Sequence, residues 1–145
     1  IDSSTGREAW RFEGDSWFWS TPITDGKLVF AGSMGGKLYA LDIDTGFRRW
    51  EFDLKSPILS TPVLINDNIA VASDGGLVYL ISTTAGKQEA PAYNVGAEVR
   101  APIGIYEAEG TIYINANDRH VWALSMAGGQ KKLWECDTST GECTG

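Results

Sequence analysis

Basic clusters and long apolar runs are both missing from this sequence. The formal net charge is −7 at pH 7, and basic residues occur at most as adjacent pairs, such as Arg48–Arg49 and Lys131–Lys132. Binding to nucleic acid or to an anionic membrane surface needs clustered cations, so the sequence predicts neither partner. No apolar stretch approaches the roughly 18 residues of a membrane span, and the first residues lack the features of a signal peptide. We therefore expect no direct membrane span.

Histidine and cysteine are scarce. His120 is the single histidine, and with two cysteines it cannot complete a four-ligand zinc site. A Ser-His-Asp triad would have to use His120, yet no G-x-S-x-G motif accompanies it. Cys136 and Cys143 enclose the polar segment DTSTGE. A disulfide closing this short hairpin is geometrically feasible and would indicate an oxidising compartment, whereas two neighbouring reduced thiols are the alternative.

Helical periodicity is absent too, and what is present instead is a repeat of forty residues. The landmarks at this spacing are Gly6, Gly46 and Gly86; Pro22, Pro62 and Pro102; and Trp10 and Trp50. Short alternating apolar runs separated by Gly, Asp and Asn are typical of strands and tight turns. The first full copy predicts strands near WFWSTPI, KLVFAGS, KLYALD and FRRWEF. A third copy is longer by three residues in IGIYEAEGTIY.

A forty-residue, four-stranded antiparallel sheet has two half-apolar faces and must stack on its neighbours, so we predict an all-β fold of β-propeller blades. We expect blades at 17–52, 57–94 and 97–136, the last strand of a preceding blade at 1–14, and a cysteine-bounded hairpin or a new blade at 137–145. Propeller rings contain about four to eight blades. We therefore expect part of a longer protein with seven or eight blades, or completion by another chain. A whole subunit that dimerises into such a ring is the alternative.

A motif within the repeat points to a family. Residues 40–50, ALDIDTGFRRW, match the pattern A-x-D-x-x-T-G-x-x-x-W, and residues 2–10 match it without the alanine. The pattern resembles the tryptophan-docking motif of the PQQ-like β-propeller repeats. The aspartate and threonine can accept backbone N–H groups in the turn, and the glycine supplies a positive φ. The resemblance implies a structural docking role for Trp10, Trp50, Trp134, Asp42, Thr45 and Gly46. Later copies keep fewer motif residues, which predicts weaker stacking there.

The same turn offers an alternative chemistry that we consider weaker. Asp42 and Asp44 are spaced like the first ligands of a calcium loop, but the further acidic residues of an EF-hand-like loop are missing. The repeat accounts for both residues without a metal. We therefore predict no metal site.

The resemblance also bears on function. Proteins with similar repeats include quinoprotein dehydrogenases and the propeller lipoprotein of outer-membrane β-barrel assembly. The dehydrogenases hold PQQ over the axis with calcium and a disulfide between adjacent cysteines, and this sequence has no adjacent cysteine pair. We favour a non-catalytic scaffold or protein-binding platform without a cofactor, located outside the cytoplasm in a periplasm, a lumen or a secreted state. Its neighbours would be protein partners or further blades. A fragment of a dehydrogenase that binds PQQ and calcium is the alternative.

Two places are candidates for an axial or partner site. Counted in steps of forty, Glu98 replaces Phe18 and Ile58, and Arg100 replaces Ser20 and Ser60. Because the first strand of a blade usually lines the axis, we expect Glu98 and Arg100 to share one face toward the channel. They would form either an ion pair or a polar recognition site.

The other candidate is an aromatic run. Trp17, Phe18 and Trp19 are consecutive, and strand alternation places at least one of the three rings opposite its neighbours. Both faces of a packed blade can be apolar, so the favoured interpretation is that these residues belong to the core. The alternative is an exposed patch for a protein partner.

Overall fold

A computed structural model describes residues 1–145 as three antiparallel sheets, which we call blades 1 to 3. Blade 1 contains β1 (Ile23–Thr24), β2 (Leu28–Gly32), β3 (Lys37–Asp42) and β4 (Arg48–Asp53). Blade 2 contains β5 (Val63–Ile65), β6 (Asn68–Ala72), β7 (Leu77–Ser82) and β8 (Tyr93–Asn94). Blade 3 contains β9 (Gly104–Tyr106), β10 (Thr111–Asn115), β11 (His120–Ser125), β12 (Lys131–Asp137) and β13 (Cys143–Thr144).

The strands follow one another in space as they do in sequence, so the all-β, three-blade prediction is confirmed. Blade 3 differs from the predicted four strands because β13 adds a fifth. Helical structure is limited to the 3-10 segment Glu107–Glu109. None of the helices is long and apolar enough to cross a membrane.

The first strands are shorter than their alternating pattern predicts. The segment WFWSTPI pairs only over β1, apart from an isolated bridge between Phe18 and Ser33. Pro22 directly precedes β1 and has no N–H to donate to a ladder. The segment 7–12, predicted within the last strand of a preceding blade, belongs to no strand ladder of the chain.

Apolar clusters fill both junctions between blades. Successive side chains of β6 alternate between them: Ile69 and Val71 join the cluster shared with blade 1, and Ala70 and Ala72 join the cluster shared with blade 3. All four are fully buried. Burying a side chain the size of isoleucine stabilises a fold by about 1.5–3 kcal/mol, so these two clusters dominate the stacking.

Each blade protects its outer strand differently. Charged residues line β4, including Arg48, Arg49 and Glu51. In blade 2 the outer strand is interrupted around Pro91, so that β8 has only two residues. In blade 3, β13 pairs along the outer side of β12. Charges, proline and covering strands all discourage pairing with another chain at a sheet edge.

The interruption in blade 2 contains one extra residue. In blade 1, β3 pairs with Arg48 and, further along, with Phe52. The equivalent residues of β7 pair with Gln88 and Tyr93. The partners in blade 1 are four positions apart, at 48 and 52, and the partners in blade 2 are five apart, at 88 and 93. The extra residue therefore lies beside Pro91. From this point to the end of β9 the repeat spacing is 41, not 40.

Candidate protein-binding surface

A backbone hydrogen bond identifies equivalent positions in the three blades. In each blade, the residue two positions after the second strand donates its N–H to the carbonyl of the residue six positions before the first strand. The three pairs are Met34 N to Trp17 O at 2.8 Å, Asp74 N to Pro57 O at 2.7 Å and Asn117 N to Glu98 O at 2.9 Å. Glu98 therefore corresponds to Trp17.

This correspondence corrects the equivalences expected from forty-residue counting. Glu98 does not replace Phe18, and Arg100 does not replace Ser20. Instead, Arg100 corresponds to Trp19, since each lies two residues after its marker position. The prediction was wrong by one residue because of the insertion beside Pro91. The two candidate sites are thus the same structural position in different blades.

We call this set of positions the Trp–Arg surface. It contains three residues from each blade: Trp17, Trp19 and Met34; Pro57, Leu59 and Asp74; Glu98, Arg100 and Asn117. Its composition changes from apolar in blade 1 to charged in blade 3. That it faces the axis of a ring stays a prediction.

The apolar end is formed by exposed tryptophans. Trp17 is 77% exposed and Trp19 is 72% exposed, so the interpretation of this run as core was wrong. Phe18 is 41% exposed and packs on aromatic neighbours, with its ring centroid 6.3 Å from that of Phe12 and 5.9 Å from that of Tyr39. Alternation then directs both tryptophans away from this packing. The exposed side chain of Met34 lies on the adjoining turn.

Asp15 anchors the loop that carries the tryptophans. Its Oδ1 accepts hydrogen bonds from Ser33 Oγ at 2.7 Å and from Tyr39 OH at 2.9 Å. Its other oxygen packs against Gly35, where a Cβ would collide with the carboxylate. Burial, together with the Asp15 carboxylate, raises the pKa of Tyr39, which keeps this phenol a hydrogen-bond donor. Sequence analysis missed Asp15, although it lies only two residues before Trp17.

The charged end is a network across blades 2 and 3. Arg100 Nε lies 2.7 Å from Asp74 Oδ1, and Arg100 Nη2 lies 3.0 Å from Glu98 Oε2. Asn117 Nδ2 donates to the same Glu98 oxygen at 3.0 Å. The hydrogen bond to Asp74 is the main cause of a raised pKa at Arg100. The structure thus places Glu98 and Arg100 in an ion pair, while Asp74 and Asn117 were missed because they lie on distant turns.

The motif turn at Asp42 is closed by its own side chains. Asp42 Oδ1 accepts from Thr45 N at 3.0 Å and from Thr45 Oγ1 at 2.9 Å. Its Oδ2 pairs with Arg49 Nη2 at 2.7 Å. These bonds lower the pKa of Asp42 to about 2, and the bond from Arg49 has the largest effect. No group of three or more potential metal-binding His, Cys, Asp or Glu residues is present in the structure.

Trp10 and Trp50 each contact the motif turn of the following blade. Trp10 Nε1 donates to Ile43 O at 2.8 Å, and a Cβ on Gly46 would lie 2.6 Å from the Trp10 ring. Trp50 Nε1 donates to Thr83 O at 2.8 Å, and its ring covers Gly86 equally closely. Both glycines have positive φ, so a side chain would be both strained and blocked by the indole.

The remaining motif residues lie apart from such contacts. Ala90 stands where blade 2 would carry the next motif tryptophan, and the indole at the junction with blade 3 comes instead from Trp122 of β11, whose ring centroid lies 6.1 Å from that of Tyr93. Trp134 is 36% exposed and packs against Tyr113, with ring centroids 6.0 Å apart. Cys136 and Cys143 face each other on β12 and β13 and are joined by a disulfide.

Comparison with protein families agrees with this architecture. The PQQ_2 family model, described as outer membrane protein assembly factor BamB, matches residues 1–89. The chain belongs to this family. A comparison with curated proteins finds no match to this sequence.

Solved structures of similar fold include natural and computationally designed proteins. BamB from Moraxella catarrhalis aligns with a TM-score of 0.77 at 24% identity, over 88% of this chain and 40% of that protein. The computationally designed Ika4 protein aligns with a TM-score of 0.77 at 17% identity, over 88% of this chain and 78% of the designed one. Quinohemoprotein alcohol dehydrogenase from Comamonas testosteroni aligns with a TM-score of 0.68 at 13% identity, over 83% of this chain and 21% of the enzyme. At these identities the likeness concerns the fold, and this BamB-family chain spans well under half of the Moraxella protein.

Proposed function

We propose that the protein is a non-catalytic β-propeller platform that binds another protein through the Trp–Arg surface, outside the cytoplasm and within a larger assembly. The observation that carries this proposal is the pair of tryptophans, Trp17 and Trp19, exposed on one side of an anchored loop. Exposed large apolar side chains that lie together cost solvation free energy and mark interaction surfaces.

The chemistry of the surface supports a protein partner. Tryptophan, methionine and arginine are enriched in protein interfaces, and tryptophan and arginine dominate their binding energy. Here Trp17, Trp19 and Met34 form an apolar group in blade 1, and Glu98 and Arg100 are charged groups at the equivalent positions of blade 3. The surface thus offers apolar anchor residues at one end and an arginine at the other, and both are residue types that protein interfaces favour.

The protected outer strands favour side-chain recognition over strand addition. Strand addition requires an open sheet edge. Charges on β4, the interruption at Pro91 and the cover of β13 each disfavour it. The family's description as an outer membrane assembly factor supports an assembly role outside the cytoplasm, and the disulfide between Cys136 and Cys143 supports an oxidising compartment.

Photo-crosslinking at single positions tests the proposal. A photoreactive amino acid at position 17 or 19 of the full-length protein, expressed in the source cell, should give the same specific adduct with one partner protein. The matched control is position 47, because Phe47 is 74% exposed on a different part of blade 1. Equal adducts from position 47, or none from positions 17 and 19, would refute binding at this surface.

The non-catalytic part of the proposal has a separate test. The full-length protein is supplied with PQQ and calcium, and alcohol-dependent dye reduction is measured. We expect no activity above that of the buffer. Activity that requires both additions would instead support the dehydrogenase alternative.

A further inference from the structure

Blade 1 holds an extended aromatic segment at a two-part site. The ring of Trp10 lies on Gly46 and its Nε1 donates to Ile43 O. Two residues later, Phe12 packs on Tyr39 with a centroid distance of 5.0 Å. The site therefore combines an aromatic residue on β3 with the motif turn that follows β3.

Blade 2 holds the next segment in the same way. Trp50 lies on Gly86 and donates to Thr83 O, and Phe52 packs on Tyr79 with a centroid distance of 5.8 Å. In both cases a Trp-x-Phe segment binds an aromatic residue and a glycine seven positions further along the chain. We call this arrangement a Trp-x-Phe docking site.

The sequence contains a third such site in an unexpected place. Residues 132–141, KLWECDTSTG, share the lysine, leucine, aspartate, threonine and glycine of residues 37–46, KLYALDIDTG. Trp134 takes the place of Tyr39, and Gly141 again lies seven positions later. However, this copy lies on β12 and the hairpin after it, one strand later in its blade than β3.

The strand pairing beneath the third site repeats that of the first. Trp134 pairs with Ala123 as Tyr39 pairs with Ala31, and Cys136 pairs with Val121 as Leu41 pairs with Val29. A valine and an alanine thus support both sites at matching positions. The two sites therefore have similar residues on the neighbouring strand as well as similar turns.

The turn of the third site is formed by the same hydrogen bonds. Gly141 N donates to Asp137 O at 2.8 Å, and Asp137 N donates to Glu142 O at 2.9 Å. The corresponding bonds at Asp42 are 2.9 and 2.8 Å. Thr138 N is fixed to Arg119 O at 2.8 Å, which orients the carbonyl that corresponds to Ile43 O. The disulfide between Cys136 and Cys143 holds this turn in place.

The third site is accessible. Trp134 is exposed, and no atom lies within 4 Å of the position that a Cβ on Gly141 would take. No tryptophan of this chain donates to Thr138 O; the indole N–H groups of Trp10 and Trp50 go elsewhere.

We propose that residues 132–141 are a docking site for an extended Trp-x-Phe segment of another polypeptide. The tryptophan of that segment lies on Gly141 and donates to Thr138 O, and its phenylalanine packs on Trp134. The occupant is identified by the two segments that occupy equivalent sites in blades 1 and 2. This surface is distinct from the Trp–Arg surface.

A labelled peptide of residues 47–53, FRRWEFD, is the probe, with fluorescence anisotropy as the measurement. We expect saturable binding to the full-length protein that weakens by at least about tenfold when the peptide's tryptophan is replaced by alanine. Gly141→Ala should weaken binding similarly. The matched control is Gly128→Ala, since Gly128 is also exposed with a φ of 70° compared with 75° at Gly141.

Three outcomes would overturn the proposal: no saturable binding, equal binding by the alanine peptide, or binding that Gly141→Ala leaves unchanged. If the peptide binds the exposed turn at residues 2–6 instead, a Gly6→Ala variant should weaken its binding. Circular dichroism verifies that each variant folds, and Trp134→Ala replaces Gly141→Ala if the latter does not. Loss of binding in Trp134→Ala alone, with Gly141→Ala unaffected, would assign Trp134 to packing against a further blade. None of these results depends on Trp17 or Trp19, so this proposal and the proposed function fail independently.

Discussion

Arg100 of blade 3 reaches Asp74 of blade 2, with Nε 2.7 Å from Oδ1. This contact lies at the junction where Ala90 stands in place of a docking tryptophan. The Arg100 side chain is 50% exposed, and exposed ion pairs contribute little to stability because water and salt screen them. The apolar cluster between these blades, which includes Ile112 and Ile114, must therefore supply most of the stabilisation at this junction.

Replacing Arg100 should have a small and salt-dependent effect. We expect Arg100→Met to lower the free energy of unfolding only slightly at low salt, with no difference at about 1 M salt, because exposed charges are screened. Urea denaturation at two salt concentrations measures this. Lys55→Met is the control, since Lys55 pairs with Asp53 without bridging two blades. A large loss that persists at high salt would contradict the assignment.

Trp50 should contribute more than any single charge. Trp50→Ala removes the ring that covers Gly86, and we expect a loss of about 3–5 kcal/mol in the free energy of unfolding. Trp50→Phe keeps an aromatic ring but leaves Thr83 O without its indole donor, so it should cost less, with about 1 kcal/mol from the hydrogen bond. Denaturant unfolding of both variants distinguishes packing from hydrogen bonding. Equal losses would assign the whole effect to the hydrogen bond.

The Asp42 turn should make the free energy of unfolding depend on pH in the acidic range. Its pKa is about 2 in the folded protein and near 3.8 in an unfolded chain. A depressed folded pKa means that the stabilisation is complete above about pH 4 and disappears as the pH falls through about 2. An NMR titration of the Asp42 carboxyl carbon measures the pKa directly. Asp42→Asn should remove this component of the pH dependence, whereas Asp44→Asn should leave it.

Asp15 should control the order of the tryptophan loop. Asp15→Ala leaves Ser33 Oγ and the Tyr39 hydroxyl without their acceptor, at a cost of about 1–3 kcal/mol. We expect faster amide hydrogen exchange in residues 13–19 and weaker crosslinking from position 17. Asp25→Ala is the control because it removes a turn carboxylate elsewhere in blade 1. Unchanged exchange in the loop would show that other contacts hold it.

The disulfide should stabilise its hairpin locally. Closing a loop of this separation, seven residues, contributes about 2–3 kcal/mol by chain entropy. In a Cys136→Ser, Cys143→Ser variant we expect faster hydrogen exchange in β13 and unchanged exchange at Ile112 and Ile114. Faster exchange throughout blade 3 would instead show that the hairpin supports the whole sheet.

The blades could be predicted from sequence because their landmarks have fixed roles in turns and stacking. Gly46 and Gly86 lie beneath indole rings, so their spacing reports the repeat itself. The register of blade 3 could not be predicted in the same way. Pro102 lies forty residues after Pro62, but Gly104 takes the ladder position of Val63, so Pro102 is one residue out of register. An insertion in an irregular outer strand leaves no periodic signal.

The exposure of Trp17 and Trp19 was also beyond sequence reasoning. Alternation determines that neighbouring side chains take opposite sides, but it does not determine what covers each side. Phe18 packs against Tyr39, whereas no element of the chain covers the tryptophans. The position of Asp15 over Gly35 depends on the approach of two segments twenty residues apart, which composition does not reveal.

The path of the chain after its outer strands fixes the order of the blades. After β4 the backbone continues through buried Leu54 into blade 2, and after β8 it continues through buried Val95 into blade 3. After β12 it turns back at Thr138, and the disulfide locks that reversal. The chain thus leaves the outer strand of blade 3 by a hairpin, whereas it leaves those of blades 1 and 2 directly toward the next blade. The three units share their strand order but not this exit, so exchanging blade 3 for blade 1 or 2 would also exchange a hairpin for a crossover.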